Sequence, residues 1–157
     1  MIAVLVAGVV WWRRRVGAAV LVVGTVLVAT GLSTLTKYVV GRERPPVAMR
    51  VVGALHPSYP SGHATATTAL AGVTLLVYLG SRPGRVRAWG AAVSAAVLVV
   101  AMCATRLYLG VHWFTDVVGG VLLGTTVVLC AAVVQIRWQV DNEPTARSLN
   151  AQQGKEI

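Results

Sequence analysis

The sequence predicts an all-α integral membrane bundle, with four full transmembrane helices and an N-terminal half-helix ahead of them. Three observations predict it. Of 157 residues, 56% are hydrophobic and only 12% charged, a balance foreign to soluble domains and usual for chains in a bilayer. Four apolar runs, 16–36, 63–80, 88–108 and 116–137, each approach the roughly 20 residues a helix needs to cross the hydrocarbon core. Trp11, Trp12, Trp89, Trp113 and Trp138 fall near the ends of apolar runs, where an aromatic belt places them. The runs are rich in Val, which favours strands in water. An open strand leaves its backbone unpaired in lipid, so these runs are helices.

Taken in order, the chain begins with an apolar stretch, "MIAVLVAGVVWW", followed by Arg13, Arg14 and Arg15. A secretory signal carries its positive charge before the apolar stretch, not after it. At 1.5 Å per residue this stretch covers only about 18 Å of a core roughly 30 Å thick. It has the look of the cytoplasmic half of a helix, and the expectation is an N-terminally truncated chain. The four full spans follow. On the last, Gly120 and Gly124 form G-x-x-x-G, which predicts close helix packing inside the bundle rather than a dimer contact. Cys103 and Cys130 lie inside apolar runs, without disulfide or zinc spacing, and are expected as buried free thiols. The expected organisation is a membrane domain over 1–138 and a polar, disordered cytoplasmic tail over 139–157.

The formal charge is +9. The basic residues lie between membrane runs, so topology and anionic lipids explain them, and no nucleic-acid partner is expected. Arg13, Arg14, Arg15, Arg82, Arg85, Arg87, Arg137, Arg147 and Lys155 fall on one side of an alternating four-helix path. Lys37, Arg42, Arg44, Arg50 and Arg106 fall on the other. The positive-inside rule places the larger group in the cytoplasm. All three histidines, His56, His63 and His112, share the outer side with the smaller group.

Those outer segments carry the chemistry. "KYVVGRERP" spaces Lys37 and Arg44 seven apart, which puts both cations on one face if the helix continues. "PSGH" places Ser61 and the Gly62 amide at a helix start, an end that favours anions. "TRLYLGVHWFTD" supplies Arg106, then His112 and Asp116 at i and i+4. A carboxylate one turn away fixes the imidazole tautomer and leaves the other ring nitrogen free to attack. Cations and amides of this kind stabilise a transferring phosphoryl group. One histidine can be the nucleophile and the other the general acid. Asp116 is the only Asp and Glu43 the only Glu in the region. No metal and no cofactor are expected, and Lys and Arg meet the phosphoryl charge. His56 reads as a solvated loop histidine. Arg42 and Arg50 read as headgroup contacts or solvated charges, and Tyr59 and Trp113 as chain-lining or interfacial aromatics.

K-x6-R-P (Lys37, Arg44, Pro45), P-S-G-H (Pro60 to His63) and R-x5-H-x3-D (Arg106, His112, Asp116) together resemble the three signature motifs of the type 2 phosphatidic acid phosphatase superfamily. The resemblance implies that Lys37, Arg44 and Arg106 bind phosphate beside Ser61 and the Gly62 amide. It implies that His112 forms a phosphohistidine, Asp116 orients it and His63 protonates the leaving group. The third motif usually opens Ser-Arg, and here opens Thr105-Arg106, a departure that keeps the hydroxyl. Membrane members commonly have six helices, so by this resemblance the first helix and half of the second are absent.

The function expected is metal-independent hydrolysis of a lipid phosphate or diphosphate at the outer face of a bacterial cytoplasmic membrane. Undecaprenyl pyrophosphate, phosphatidate and phosphatidylglycerol phosphate all fit as substrates. The alternatives are a non-catalytic or truncated remnant that binds anionic lipid headgroups, and a vanadate-dependent haloperoxidase, whose known forms are soluble.

Overall fold

A computed structural model describes residues 16–53 and 56–153, with side chains described through 137. Four helices make up the bundle: α1 (Val16–Val40), α2 (Gly62–Gly80), α3 (Arg85–Tyr108) and α4 (Phe114–Gln153). Each contains a stretch long and apolar enough to cross a membrane, that of α4 being Phe114–Arg137. The spans expected from the sequence are all present, each starting or ending a few residues further out. The expected half-helix at 1–12 lies outside the described residues. The α4 backbone continues as helix through 139–153, with no break at the expected domain boundary.

The packing is arranged for lipid. Large apolar side chains such as Leu27, Leu35, Val97, Val100, Leu122 and Leu129 point outward. The interior holds small residues, among them Ala29, Ala64, Ala69 and Ala71. Lipid is as apolar as Leu, so helices associate by close backbone approach rather than by hiding large side chains. Helix α2 is the centre of the bundle. It contacts α1, α3 and, most extensively, α4.

Glycines on α4 permit that closest crossing. A Cβ on Gly120 would lie 2.6 Å from the Ser61 carbonyl oxygen, and one on Gly124 would lie 2.8 Å from that of Thr65. The G-x-x-x-G stripe therefore packs within the bundle, as expected. Several hydroxyls in the spans bond back along their own helices. Thr25 donates to Leu21 O at 2.6 Å and Thr126 to Leu122 O at 2.9 Å, which satisfies a polar group that lipid cannot. Both cysteines are free, but neither is buried: Cys103 is half-buried and Cys130 is exposed on the helix surface.

The helix ends are set locally. Gly41, at φ +60°, closes α1 by donating to Lys37 O at 2.9 Å, a left-handed cap that suits glycine. Ser61 caps α2, its hydroxyl accepting from Ala64 N at 3.4 Å. Because the four helices alternate, the end of α1, the start of α2, the end of α3 and the start of α4 share one end of the bundle.

Candidate active site

That shared end gathers the motif residues. Helix α1 stops at Val40, so Arg44 is not on the helix that carries Lys37. The two cations converge because the loop after Gly41 folds back, not because they share a helical face. Lys37 Nζ donates to the carbonyls of Pro57, Ser58 and Pro60 at 2.9, 3.3 and 2.6 Å. A half-buried ammonium is thereby satisfied, and it pins the segment that leads into α2. Arg44 Nε donates to His56 O and Nη1 to Val111 O, both at 2.6 Å. Burial and the Arg50 charge lower the Arg44 pKa, and Asp116 opposes them.

His112 lies two residues ahead of α4, and Asp116 sits in the first turn of that helix. The pairing expected from their spacing is present, with His112 Nδ1 3.4 Å from Asp116 Oδ2. The same carboxylate oxygen accepts from Trp113 N at 2.9 Å. Asp116 is fully buried and His112 nearly so. Nδ1 thus carries the hydrogen and Nε2 presents a lone pair, 3.4 Å from Arg44 Nη1. Burial, then the Arg44 and Lys37 charges, lower the His112 pKa to about 4 against the pull of Asp116. The imidazole is therefore neutral at physiological pH.

A cavity of about 450 Å³ opens between these groups, lined by Lys37, Arg44, Gly62, His63 and His112, together with Thr34, Tyr38, His56 and Ala66. Gly62 begins α2, so the positive helix end faces the cavity. Ser61 is fully buried and its hydroxyl is spent on the cap, so of this pair it is Gly62 that faces the cavity. Arg106 is half-exposed and does not line the cavity; its Nε lies 3.4 Å from the Thr105 hydroxyl. Thr105 itself bonds back to Met102 O at 2.7 Å. The starts of α2 and α4 are tied directly, Ser61 N donating to Asp116 O at 2.8 Å.

Three residues have more to do here than their sequence context indicates. His56 lines the cavity. Tyr59 packs its ring on Gly119, where a Cβ would come within 2.5 Å of it. Arg42 pairs with Asp116 at 3.0 Å. The one available signal was for Arg42, since a buried aspartate requires a cationic or hydrogen-bonding partner.

A transmembrane helical bundle with a cationic, histidine-bearing cavity at one end is the architecture of a membrane phosphatase family, and the chain belongs to it. The model of the PAP2 superfamily matches residues 18–140. The chain is 40% identical over 103 residues to decaprenylphosphoryl-5-phosphoribose phosphatase of Mycobacterium tuberculosis, covering 64% of this chain and 51% of that protein. It is 35% identical over 117 residues to undecaprenyl-diphosphatase of Sulfolobus acidocaldarius, covering 71% and 52%. The chain thus spans about half the length of these curated relatives. The fold is similar to that of the transmembrane PAP2-type phosphatidylglycerolphosphate phosphatase from Bacillus subtilis, with a TM-score of 0.75 and 23% identity over 87% of this chain and 68% of that one.

Proposed function

We propose that this protein hydrolyses a phosphate or diphosphate on a membrane lipid through a phosphohistidine at His112. The observation that carries the reading is the cavity. A neutral imidazole nitrogen, fixed by a buried aspartate, faces a space bounded by Lys37, Arg44 and the start of α2. His63 lines the same space.

The Nε2 lone pair attacks phosphorus, and the bond from phosphorus to the lipid oxygen breaks. His63 gives its proton to that oxygen. Water then attacks the phosphohistidine and loses a proton to His63, the P–N bond breaks, and inorganic phosphate leaves. Arg44 and the Gly62 amide hold the phosphoryl oxygens, Lys37 adds its charge while its three donors stay on the loop carbonyls, and Arg106 turns in from its half-exposed position to join them. In this reading residues 1–138 are the phosphatase domain and 139–157 a cytoplasmic tail. The charge bias of the loops supports a cavity at the outer face of the cytoplasmic membrane.

The test is phosphate release by purified protein from a panel of lipids. Both kinds of curated relative are named for polyprenyl-linked substrates. Undecaprenyl diphosphate and a polyprenyl phosphoribose phosphate therefore head the panel, with phosphatidate and phosphatidylglycerol phosphate beside them. Release from none of them defeats the reading. EDTA is expected to leave the rate intact; a loss that Mg²⁺ restores would overturn the metal-independent mechanism.

The pH profile gives a second check. His112 must be neutral to attack, so activity falls as pH drops through its pKa. For free enzyme that limb, read from kcat/KM, is expected at about 4. A bound phosphate brings negative charge to Nε2 and favours the imidazolium, so the limb in kcat moves to higher pH. The lipid's own second ionisation, at about pH 6, is titrated separately. A kcat limb below the kcat/KM limb contradicts the placement of phosphate against His112.

A further inference from the structure

We propose that Arg42 is a positioning residue of this site, holding the Asp116 carboxylate and, through it, the His112 ring. The inference rests on the reading that His112 is the nucleophile. Asp116 has two carboxylate oxygens with different partners. Oδ2 takes the neutral donors, Trp113 N at 2.9 Å and His112 Nδ1 at 3.4 Å. Oδ1 takes Arg42 Nη1 at 3.0 Å. Without that contact the fully buried carboxylate would lose its one direct cationic partner among the described residues.

Arg42 is itself held from several sides. The same Nη1 donates to the Thr115 hydroxyl at 2.6 Å. The guanidinium lies over the Trp113 ring, 5.9 Å from its centroid. Trp113 Nε1 donates to Glu43 O at 3.1 Å. The Arg42 carbonyl accepts from Ser58 N at 2.8 Å and from Ser58 Oγ at 3.1 Å. Lys37 and Arg44 line the cavity, and Arg42 does not. It reaches the site from behind, through Asp116. Among the described residues, the other charged or titratable groups on this side are Lys37 and Tyr38 from α1, Arg44 and His56 from the loop, His63 from α2, and Arg106 from α3, whose charge reaches His63.

The charge has a consequence that a purely structural contact would not. Arg42 offsets the Asp116 charge felt at His112. Its removal leaves the carboxylate free to favour the imidazolium, so His112 protonates at higher pH. The experiment compares wild type, Arg42→Met, Arg42→Lys, Asp116→Asn and the Arg42→Met/Asp116→Asn double variant. It measures lipid phosphate turnover and the His112 titration by NMR of labelled histidine in micelles. With three histidines in the chain, assignment by single substitution is direct.

Arg42→Met is expected to lower kcat about 10- to 100-fold, to leave KM unchanged, and to raise the His112 midpoint by about one pH unit. Arg42→Lys restores the midpoint and part of the rate, since Lys keeps the charge but not the planar fork. The double variant turns over like Asp116→Asn alone, because Arg42 then has no charge to hold. The proposal is overturned by an unmoved midpoint in Arg42→Met, by a raised KM with kcat retained, or by a double variant about tenfold slower than Asp116→Asn. If Arg42→Met does not fold, the double variant against Asp116→Asn decides alone. If wild type releases phosphate from no lipid, the function reading fails, and the His112 midpoint still judges Arg42.

Discussion

Replacing His112 with Ala is expected to abolish lipid phosphate hydrolysis, with a fall of at least about 10⁴-fold in kcat, the scale seen when a nucleophile is removed from a working constellation. The proposed roles of the two histidines separate in a partial reaction. His63→Ala loses the proton donor, worth about 10²- to 10⁴-fold, but keeps the Nε2 nucleophile. Given a phosphate ester with a good leaving group, it should accumulate an acid-labile phosphoenzyme. His112→Ala should form none. Radiolabelled phosphate retained on the protein after rapid denaturation is the measurement. A phosphoenzyme in His112→Ala at the wild-type level would remove His112 from its role. Asp116 and the cation pair would then be serving a different nucleophile.

A second large effect is expected far from any reacting atom. Gly120→Ala adds one methyl where the nearest atom is the Ser61 carbonyl oxygen, at 2.6 Å. That oxygen belongs to backbone and also accepts from Thr65 N at 2.9 Å and from the Thr65 hydroxyl at 3.0 Å, so it cannot simply turn away. Helix α4 must move off α2. Overpacking of this kind costs about 1–3 kcal/mol. The displacement also strains the Ser61 N to Asp116 O bond, and misplacement by about 1 Å can cost about 10²-fold in rate. Gly90→Ala on α3 is the control, because nothing lies within 4 Å of its added methyl. Thermal unfolding in detergent and turnover should both drop for Gly120→Ala and not for Gly90→Ala. Equal behaviour of the two variants would mean that the α2–α4 crossing is looser than its glycines indicate.

The bundle was legible because bilayer physics leaves few choices. Runs 16–36, 63–80, 88–108 and 116–137 needed only length and apolarity to be recognised as spans. The Ser61 cap and the His112–Asp116 pair were legible because they are local, set by neighbours within four residues. Long-range partners were not. Arg42 meets Asp116 across 74 positions; a buried aspartate calls for a partner, but nothing within "GRERP" marks Arg42 as that partner. The end of α1 was also hidden. The spacing of Lys37 and Arg44 fits a continuing helix, whereas Gly41 takes a left-handed conformation and turns the chain back. Both routes bring the two cations together, so the sequence pattern led to the correct neighbours along the wrong path. Tyr59 on Gly119 belongs to the same class, an aromatic whose place depends on a glycine that only the folded chain brings near.

The ties at the shared end of the bundle join segments that leave the ribosome at different times. Lys37 can grip the carbonyls of Pro57, Ser58 and Pro60 once the second span is made. Arg42 must wait for Asp116, and Ser61 N waits for the same residue. Until α4 is inserted, the guanidinium of Arg42 and the amide that starts α2 have only water and lipid headgroups to bond. Assembly of the cavity is therefore coupled to completion of the last span. A nascent chain halted after α3 would hold three membrane helices with Lys37, Arg42, Arg44 and Arg106, yet lack His112, Asp116 and the contacts that align them.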